Sequence, residues 1–200
     1  MRGILCFGDS ITFGLGKKGG WAGRLKDYFE PKGEHNCIFN LGICGDTSRD
    51  LLKRFDTEAN ARIRYLYPED KHTIIIAIGA NDLKGIESPE NLNINPAEFR
   101  KNILKLISKS KKYTKDIVLI GLIPVNENVT LPYEDTYFSN KIIKEYNSIM
   151  RDCCKRNKIR FISLFEEMSK KDYKKMLYDG LHPNNKGYDF MFNKIKEELK

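Results

Sequence analysis

Five short apolar runs, spaced along the whole chain, constrain the fold more than any other feature of the sequence. They are ILCF (4–7), CIFNL (37–41), TIIIAI (73–78), IVLI (117–120) and IRFISL (159–164). Each run is continuous rather than alternating, which is typical of strands that are buried on both faces of a parallel sheet. The sequence therefore predicts five strands with a covering layer on each side.

Helical periodicity fills the segments between these runs, because apolar residues recur there every three or four positions. The four stripes consist of Leu51, Phe55, Ala59 and Ile63; of Phe99, Ile103, Leu106 and Ile107; of Phe138, Ile142, Tyr146, Ile149 and Cys153; and of Tyr188, Phe192, Ile195 and Leu199. Helix starts are marked by Asn95 before Pro96, and by Thr47 with Asp50 three residues later. Strand and helix alternate five times, which predicts an α/β fold: a three-layer α/β/α sandwich with a flavodoxin-like five-stranded parallel sheet in the order 2-1-3-4-5.

Length and hydropathy favour one compact unit. The 200 residues, of which 40% are hydrophobic, predict a single domain over residues 1–200 with a core of its own. No apolar stretch approaches the roughly 18 residues that a membrane-spanning helix needs, so no membrane span is expected. The N-terminus, MRGILCFGDS, runs directly into the first predicted strand without a secretory signal, and we expect a cytoplasmic location.

Charge and cysteine content exclude several kinds of partner. The net charge of +8 comes from lysines scattered over predicted helix faces. This pattern favours solvated surfaces, and no nucleic-acid partner is predicted. The five cysteines are odd in number and include no C-x-x-C pair, so neither a disulfide framework nor a zinc site is expected.

Small and polar residues follow the first three predicted strands, in GDSITFG, GICGDTSRDLL and GANDL. Ligands of such sheets bind beyond the carboxyl ends of the strands, where the strand order reverses. Ser10 can expose a hydroxyl there, Gly45 lets its backbone N–H approach a ligand, and Asn81 offers a side-chain N–H. A hydroxyl with pre-aimed donors suits acyl transfer, since the donors stabilise an oxyanion. Asp9 and Asp82 lie in the same loops, where we expect them to bond nearby N–H groups.

The stretch YDGLHPNNKG (178–187) supplies a candidate base for that serine, whose hydroxyl is a weak nucleophile without one. His182 follows the fifth strand, roughly 14 Å from the first at about 4.8 Å per strand. The chain from Phe165 onward is long enough to fold back over the sheet end. Pro183 disfavours helix at His182. Asp179 is close enough in sequence to hold Nδ1–H of the imidazole and leave Nε2 free for Ser10.

Four blocks in order, spanning residues 7 to 184, resemble the SGNH hydrolase superfamily of GDSL-type esterases and lipases. They are FGDSITFG with Ser10, NLGICGDTS with Gly45, IGAND with Asn81, and DGLHPN with Asp179 and His182. The resemblance implies the flavodoxin-like fold, with Ser10 as nucleophile, His182 as base and Asp179 as its orienting partner. It also implies an oxyanion hole formed by the N–H groups of Ser10 and Gly45 and the side chain of Asn81. It implies no metal and no cofactor.

These observations predict a serine esterase that hydrolyses a small-molecule carboxylic ester through an acyl-enzyme. A short acyl group is favoured because the sequence shows no lid-like apolar segment. A thioesterase or lysophospholipase for longer acyl chains stays open, and so does a carbohydrate deacetylase. A non-catalytic ligand-binding protein on the same fold is the alternative from another class. The sequence leaves the oligomeric state undecided.

Substrate specificity is expected to come from loops, at residues 14–20, 83–95 and 121–140. In the last of these, Leu131, Tyr133, Tyr137 and Phe138 either form an apolar pocket wall or pack beneath the insertion. Trp21 follows the first loop, and it either lines the acyl pocket or anchors the first helix in the core.

Overall fold

A parallel sheet forms the centre of the molecule. The computed structural model describes residues 2–14, 19–64 and 71–199. The strands are β1 (Arg2–Gly8), β2 (Cys37–Gly42), β3 (Lys71–Ala77), β4 (Gly85–Ile86), β5 (Asp116–Ile120), β6 (Thr136–Tyr137) and β7 (Arg160–Ile162). Five of them form one parallel sheet in the order β2-β1-β3-β5-β7. Because β4 and β6 form a separate two-stranded sheet, the predicted order 2-1-3-4-5 is confirmed.

Helices cover both faces of the sheet. They are α1 (Ser10–Phe13), α2 (Trp21–Phe29), α3 (Ser48–Ile63), α4 (Pro96–Ser110), α5 (Glu127–Thr130), α6 (Asn140–Asn157), α7 (Phe165–Ser169) and α8 (Asn185–Glu198). Helices α3, α4 and α6 pack side by side on one face, whereas α2 and α8 pack together on the other. The predicted three-layer α/β/α sandwich is confirmed.

The first strand shows why the apolar runs are continuous. Leu5 and Phe7 enter the core beneath α3, α4 and α6, and Ile4 and Cys6 enter the core beneath α2 and α8. All four side chains have no exposed surface. Successive side chains of a strand point to opposite faces, and both faces are covered here. Burial of side chains of this size stabilises the fold by about 1.5–3 kcal/mol each.

Polar caps begin the helices where the sequence predicted them. The Thr47 side chain accepts a hydrogen bond from the Asp50 N–H, and the Asp50 carboxylate accepts one from the Thr47 N–H, each at 3.3 Å. Asn95 accepts from the Glu98 N–H at 3.0 Å. The Glu98 carboxylate pairs with Arg49 of α3 at 2.8 Å, so it ties two helices together.

A two-stranded ribbon joins two of the predicted specificity loops. Gly85 of β4 pairs with Tyr137 of β6, and Ile86 pairs with Thr136, in antiparallel register. The ribbon therefore connects segment 83–95, which follows β3, to the insertion 121–140, which follows β5.

Trp21 belongs to the core. Its side chain has no exposed surface and lies among the residues buried beneath α2 and α8. The prediction that Trp21 lines the substrate pocket is therefore wrong, and its alternative as a core anchor is correct. Trp21 is the first residue of α2, and its indole lies on the buried face of that helix. In the described part of the chain, no helix has both the length and the apolar character that crossing a membrane requires.

Candidate active site

Ser10 lies at the carboxyl end of β1, as the first residue of the short helix α1. Asp9 caps this turn, since its Oδ1 accepts a hydrogen bond from the Ile11 N–H at 3.0 Å. Gly8 is required because a Cβ there would lie 2.0 Å from Oγ1 of Thr12. The tight exit from the strand turns the Ser10 hydroxyl out of the core toward solvent.

Three residues from two distant blocks come together at this point. Oγ of Ser10 lies 3.0 Å from Nε2 of His182. Nδ1 of the same imidazole lies 2.8 Å from Oδ2 of Asp179. The order of contacts matches the geometry expected from the sequence, with one ring nitrogen toward the serine and the other toward the carboxylate.

The turn that carries His182 is held by its own backbone. The Tyr178 N–H donates to the His182 carbonyl at 2.7 Å, and Leu177 forms an isolated bridge with Pro183. Gly180 has φ = +91°, a conformation that glycine adopts without strain. Immediately beyond, Asn184 caps α8, so the turn continues directly into a helix.

Asp179 is held as a carboxylate. Burial acts to raise its pKa, but hydrogen bonds from the backbone and ring of His182 and from the Leu181 N–H outweigh that effect. The pKa of Asp179 therefore lies below its ordinary value. An ionised Asp179 favours the neutral imidazole tautomer that carries its proton on Nδ1. Nε2 is then the hydrogen-bond acceptor that faces Ser10.

The predicted oxyanion donors lie beside the serine. Gly45 has φ = +84°, and a Cβ there would meet no atom within 4 Å, so its backbone conformation rather than lack of space calls for glycine. Nδ2 of Asn81 donates to the Asp46 carbonyl at 3.0 Å. That amide nitrogen carries two hydrogens, and the second remains available for a ligand. Ser10, Gly45 and Asn81 all line the same cleft.

One largely buried ion pair and several hydrogen bonds hold these loops in place. Nε of Arg54 contacts the Asp46 carboxylate at 2.7 Å, and Nη2 donates to the Gly8 carbonyl at 3.0 Å. Oδ2 of Asp82 accepts from the Ser48 N–H at 2.9 Å, and the Ser48 hydroxyl also donates to this carboxylate. The prediction that Asp9 and Asp82 bond nearby N–H groups is confirmed.

Both of these aspartates lie in a low-dielectric environment. Burial raises the pKa of Asp9 to about 7; the charges of Asp82 and Asp46 add to the rise, and the hydrogen bond from the Ile11 N–H opposes it. Burial likewise raises the pKa of Asp82 to about 6, against the hydrogen bonds from Ser48. The sequence placed both residues in the correct loops but gave no signal of these raised pKa values.

The serine opens into a cleft of about 440 Å³. The lining residues are Ser10, Ile11, Cys44, Gly45, Ala80, Asn81, Lys84, Tyr133, Glu134, Thr136, Phe138, Leu181 and His182. Tyr133 thus lies where the sequence predicted a pocket wall. Leu131 and Tyr137 do not line the cleft: Leu131 is 41% exposed, and Tyr137 is half-buried in β6. Residues 15–18 of the loop 14–20 lie outside the described residues.

An apolar cavity of about 10 Å³ adjoins the cleft. It shares Ile11, Ala80, Phe138 and Leu181 with the cleft and is otherwise lined by Leu83, Leu122, Ile123, Val125 and Ile143. Its volume is that of roughly one water-sized group. Sequence reasoning missed this cavity, because its walls come from five separate segments. In the described ranges, no cluster of three His, Cys, Asp or Glu side chains is suited to hold a metal ion.

Comparison with known proteins identifies the class to which this fold and site belong. The model of the GDSL-like lipase/acylhydrolase family matches residues 6–190. A GDSL esterase/lipase of Arabidopsis thaliana is 26% identical over 212 residues, which cover 96% of this chain and 83% of that protein. The match spans nearly the whole chain, so the chain belongs to the GDSL-like lipase/acylhydrolase family. It is a hydrolase of carboxylic esters.

Solved structures share the fold over the whole chain. A lipase/acylhydrolase from Enterococcus faecalis is 27% identical with a TM-score of 0.78, covering 100% of this chain and 95% of its own. An acetyl xylan esterase from Geobacillus stearothermophilus is 21% identical with a TM-score of 0.75, covering 98% of this chain and 94% of its own. The similarity to the second structure extends to the fold alone.

Proposed function

We propose that the protein is a serine esterase that removes short acyl groups from small-molecule esters through an acyl-enzyme intermediate. The observation that carries the proposal is the contact series from Ser10 Oγ to His182 Nε2 at 3.0 Å and from His182 Nδ1 to Asp179 Oδ2 at 2.8 Å. This series opens into the cleft that the predicted oxyanion donors line.

In the first half of the reaction, Nε2 of His182 takes the Ser10 hydroxyl proton as Oγ attacks the ester carbonyl carbon. The carbonyl oxygen becomes an oxyanion, which accepts hydrogen bonds from the N–H groups of Ser10 and Gly45 and from Nδ2 of Asn81. As the tetrahedral intermediate collapses, the alcohol leaves with the proton held by His182. The acyl group is then bonded to Oγ.

In the second half, a water molecule replaces the alcohol. His182 takes a proton from the water as its oxygen attacks the acyl carbon, and the same donors hold the new oxyanion. Collapse releases the carboxylic acid and returns the proton to Ser10. Asp179 stabilises the imidazolium that forms in each half, because its charge lies against Nδ1–H.

The apolar cavity supports a short acyl group. It shares Ile11 and Phe138 with the cleft, and its volume is close to the least that holds one water-sized group. A space this small favours the shortest acyl groups, because a longer chain has to displace a wall or leave the cavity. Lys84, Glu134 and Thr136 line the cleft with polar groups, which suits a hydrophilic alcohol.

A chain-length series of p-nitrophenyl esters from two to sixteen carbons tests this proposal. We expect the largest kcat/KM at two to four carbons and a loss of hydrolysis in Ser10→Ala. If kcat/KM is largest for long acyl chains, the protein is a lysophospholipase or thioesterase instead. Hydrolysis only of acetylated sugars would make the protein a carbohydrate deacetylase, and binding without hydrolysis would make it a ligand-binding protein.

A further inference from the structure

Asp179 has one hydrogen-bond donor that the triad does not explain. Oδ1 accepts from the N–H groups of Leu181 and His182, at 3.0 and 2.7 Å. Oδ2 accepts from the His182 ring at 2.8 Å and from the Tyr133 hydroxyl at 3.0 Å. Among the described residues that donate to Asp179, Tyr133 is the only one from outside its own turn.

Hydrogen bonds and ring packing hold the Tyr133 phenol in position beside Asp179. The Tyr133 N–H donates to the Thr136 carbonyl at 2.6 Å, and the Thr136 N–H donates back to the Tyr133 carbonyl at 3.0 Å. The Tyr133 ring packs edge-on against Phe138, with ring centroids 6.0 Å apart and planes at 87°. Through β6, this turn is paired to β4, in the loop that follows Asn81. The position of the hydroxyl is therefore fixed by the fold.

The Tyr133 hydroxyl is suited to remain a hydrogen-bond donor to Asp179. Burial raises its pKa, and the hydrogen bond to Asp179 and the negative charge of that carboxylate raise it further. The phenol therefore keeps its proton at neutral pH and remains a hydrogen-bond donor there. It shares Oδ2 with the His182 ring, so it restrains the rotation of the carboxylate and takes up part of its charge.

We propose that Tyr133 is a positioning residue of the active site, which fixes the Asp179 carboxylate in the plane that orients His182. The inference rests on the proposed function, since it assigns His182 as the base. Tyr133 also lines the cleft, so one side chain both contacts the substrate space and holds the triad. Substrate contact with this wall is thereby coupled to the geometry of the base.

Tyr133→Phe removes the hydroxyl and keeps the ring that packs against Phe138. We expect kcat to fall about fivefold with little change in KM, because hydrogen bonds to charged groups are among the stronger ones. The acidic midpoint of the kcat/KM profile should move to higher pH, because the freed carboxylate stabilises the imidazolium more strongly. Lys84 and Glu134 also line this cleft and are unchanged in the variant.

Tyr137→Phe is the matched control. Tyr137 is in the same insertion and is half-buried, but its hydroxyl is not among the described groups that contact Asp179. This control should leave kcat and the pH profile as in the wild type. A purely wall-forming role for Tyr133 would instead change KM and leave the midpoint where it was.

NMR spectra of the His182 ring at one fixed pH separate this proposal from the proposed function, because they need no turnover. We expect the ring resonances of His182 to shift in Tyr133→Phe, to stay in Tyr137→Phe, and to show no further shift when Tyr133→Phe is added to Asp179→Asn. Unchanged resonances in Tyr133→Phe, or an equal shift in the Asp179→Asn background, would overturn the positioning role. Absence of esterase activity in the wild type would overturn the proposed function and leave these spectra as a valid test of the contact.

Discussion

The buried carboxyl of Asp9, directly before the predicted nucleophile, makes the stability of the protein depend on pH in a defined direction. Burial raises its pKa from 3.8 to about 7, so folding favours the protonated form. The stability that this form contributes is complete below pH 4 and is lost as pH rises toward 7. From these two pKa values, the free-energy penalty for burying Asp9, relative to the unfolded chain in which it ionises freely, is about 2 kcal/mol at pH 5 and about 4 kcal/mol at pH 8.

Asp9→Asn removes this penalty and keeps an oxygen that can accept from the Ile11 N–H. The free energy of unfolding of the variant, relative to the wild type, should therefore rise by roughly 2 to 3 kcal/mol between pH 5 and pH 8. Urea unfolding at pH 5, 6, 7 and 8 measures the difference, and any constant effect of the new amide cancels in the comparison. Asp27→Asn is the matched control, because that carboxylate is on the exposed side of α2. A difference between Asp9→Asn and the wild type that stays constant with pH would refute the argument.

Three further predictions concern the cleft, the Arg54 contacts and a helix cap. Phe138→Ala enlarges the apolar cavity, so the preferred ester in the chain-length series should lengthen by at least two carbons, while Leu104→Ala, on the exposed face of α4, should leave it unchanged. Arg54→Lys keeps the positive charge but loses the guanidinium group that contacts both the Asp46 carboxylate and the Gly8 carbonyl. Steady-state kinetics should show kcat about tenfold lower, because these contacts hold the active-site loops in place. An unchanged kcat would contradict this role of Arg54. Thr47→Ala removes the cap of α3 and should lower the urea-derived free energy of unfolding by about 1 kcal/mol, whereas no loss would contradict the capping box.

The sequence predicted the sheet because its signals are local and strong. Runs such as TIIIAI are short, continuous and rich in β-branched residues, which is typical of a parallel strand covered on both faces. The order of the strands then placed the ends carrying Ser10, Gly45 and Asn81 beside one another. His182 could be assigned to the same point because the chain before it is long enough to return across the sheet edge.

Several features of the fold and the site depend on tertiary packing, for which the local sequence carries no signal. The ribbon of β4 and β6 has two residues per strand, which is too short for any periodicity to show. Trp21 is the first residue of α2, and the sequence of this helix does not show whether its first turn faces the core or the cleft. The contact between Tyr133 and Asp179 spans 46 residues and depends on how the insertion folds, so no spacing rule predicts it. The raised pKa values of Asp9 and Asp82 follow from burial, which appears only once the layers are packed.

Covalent labelling tests the assignment of Ser10 as the nucleophile. A serine-directed fluorophosphonate bonds to an activated serine, and peptide mass spectrometry locates the adduct. We expect one adduct, on the peptide that contains Ser10, and neither labelling nor ester hydrolysis in Ser10→Ala. An adduct on another residue, or labelling that persists in Ser10→Ala, would contradict it.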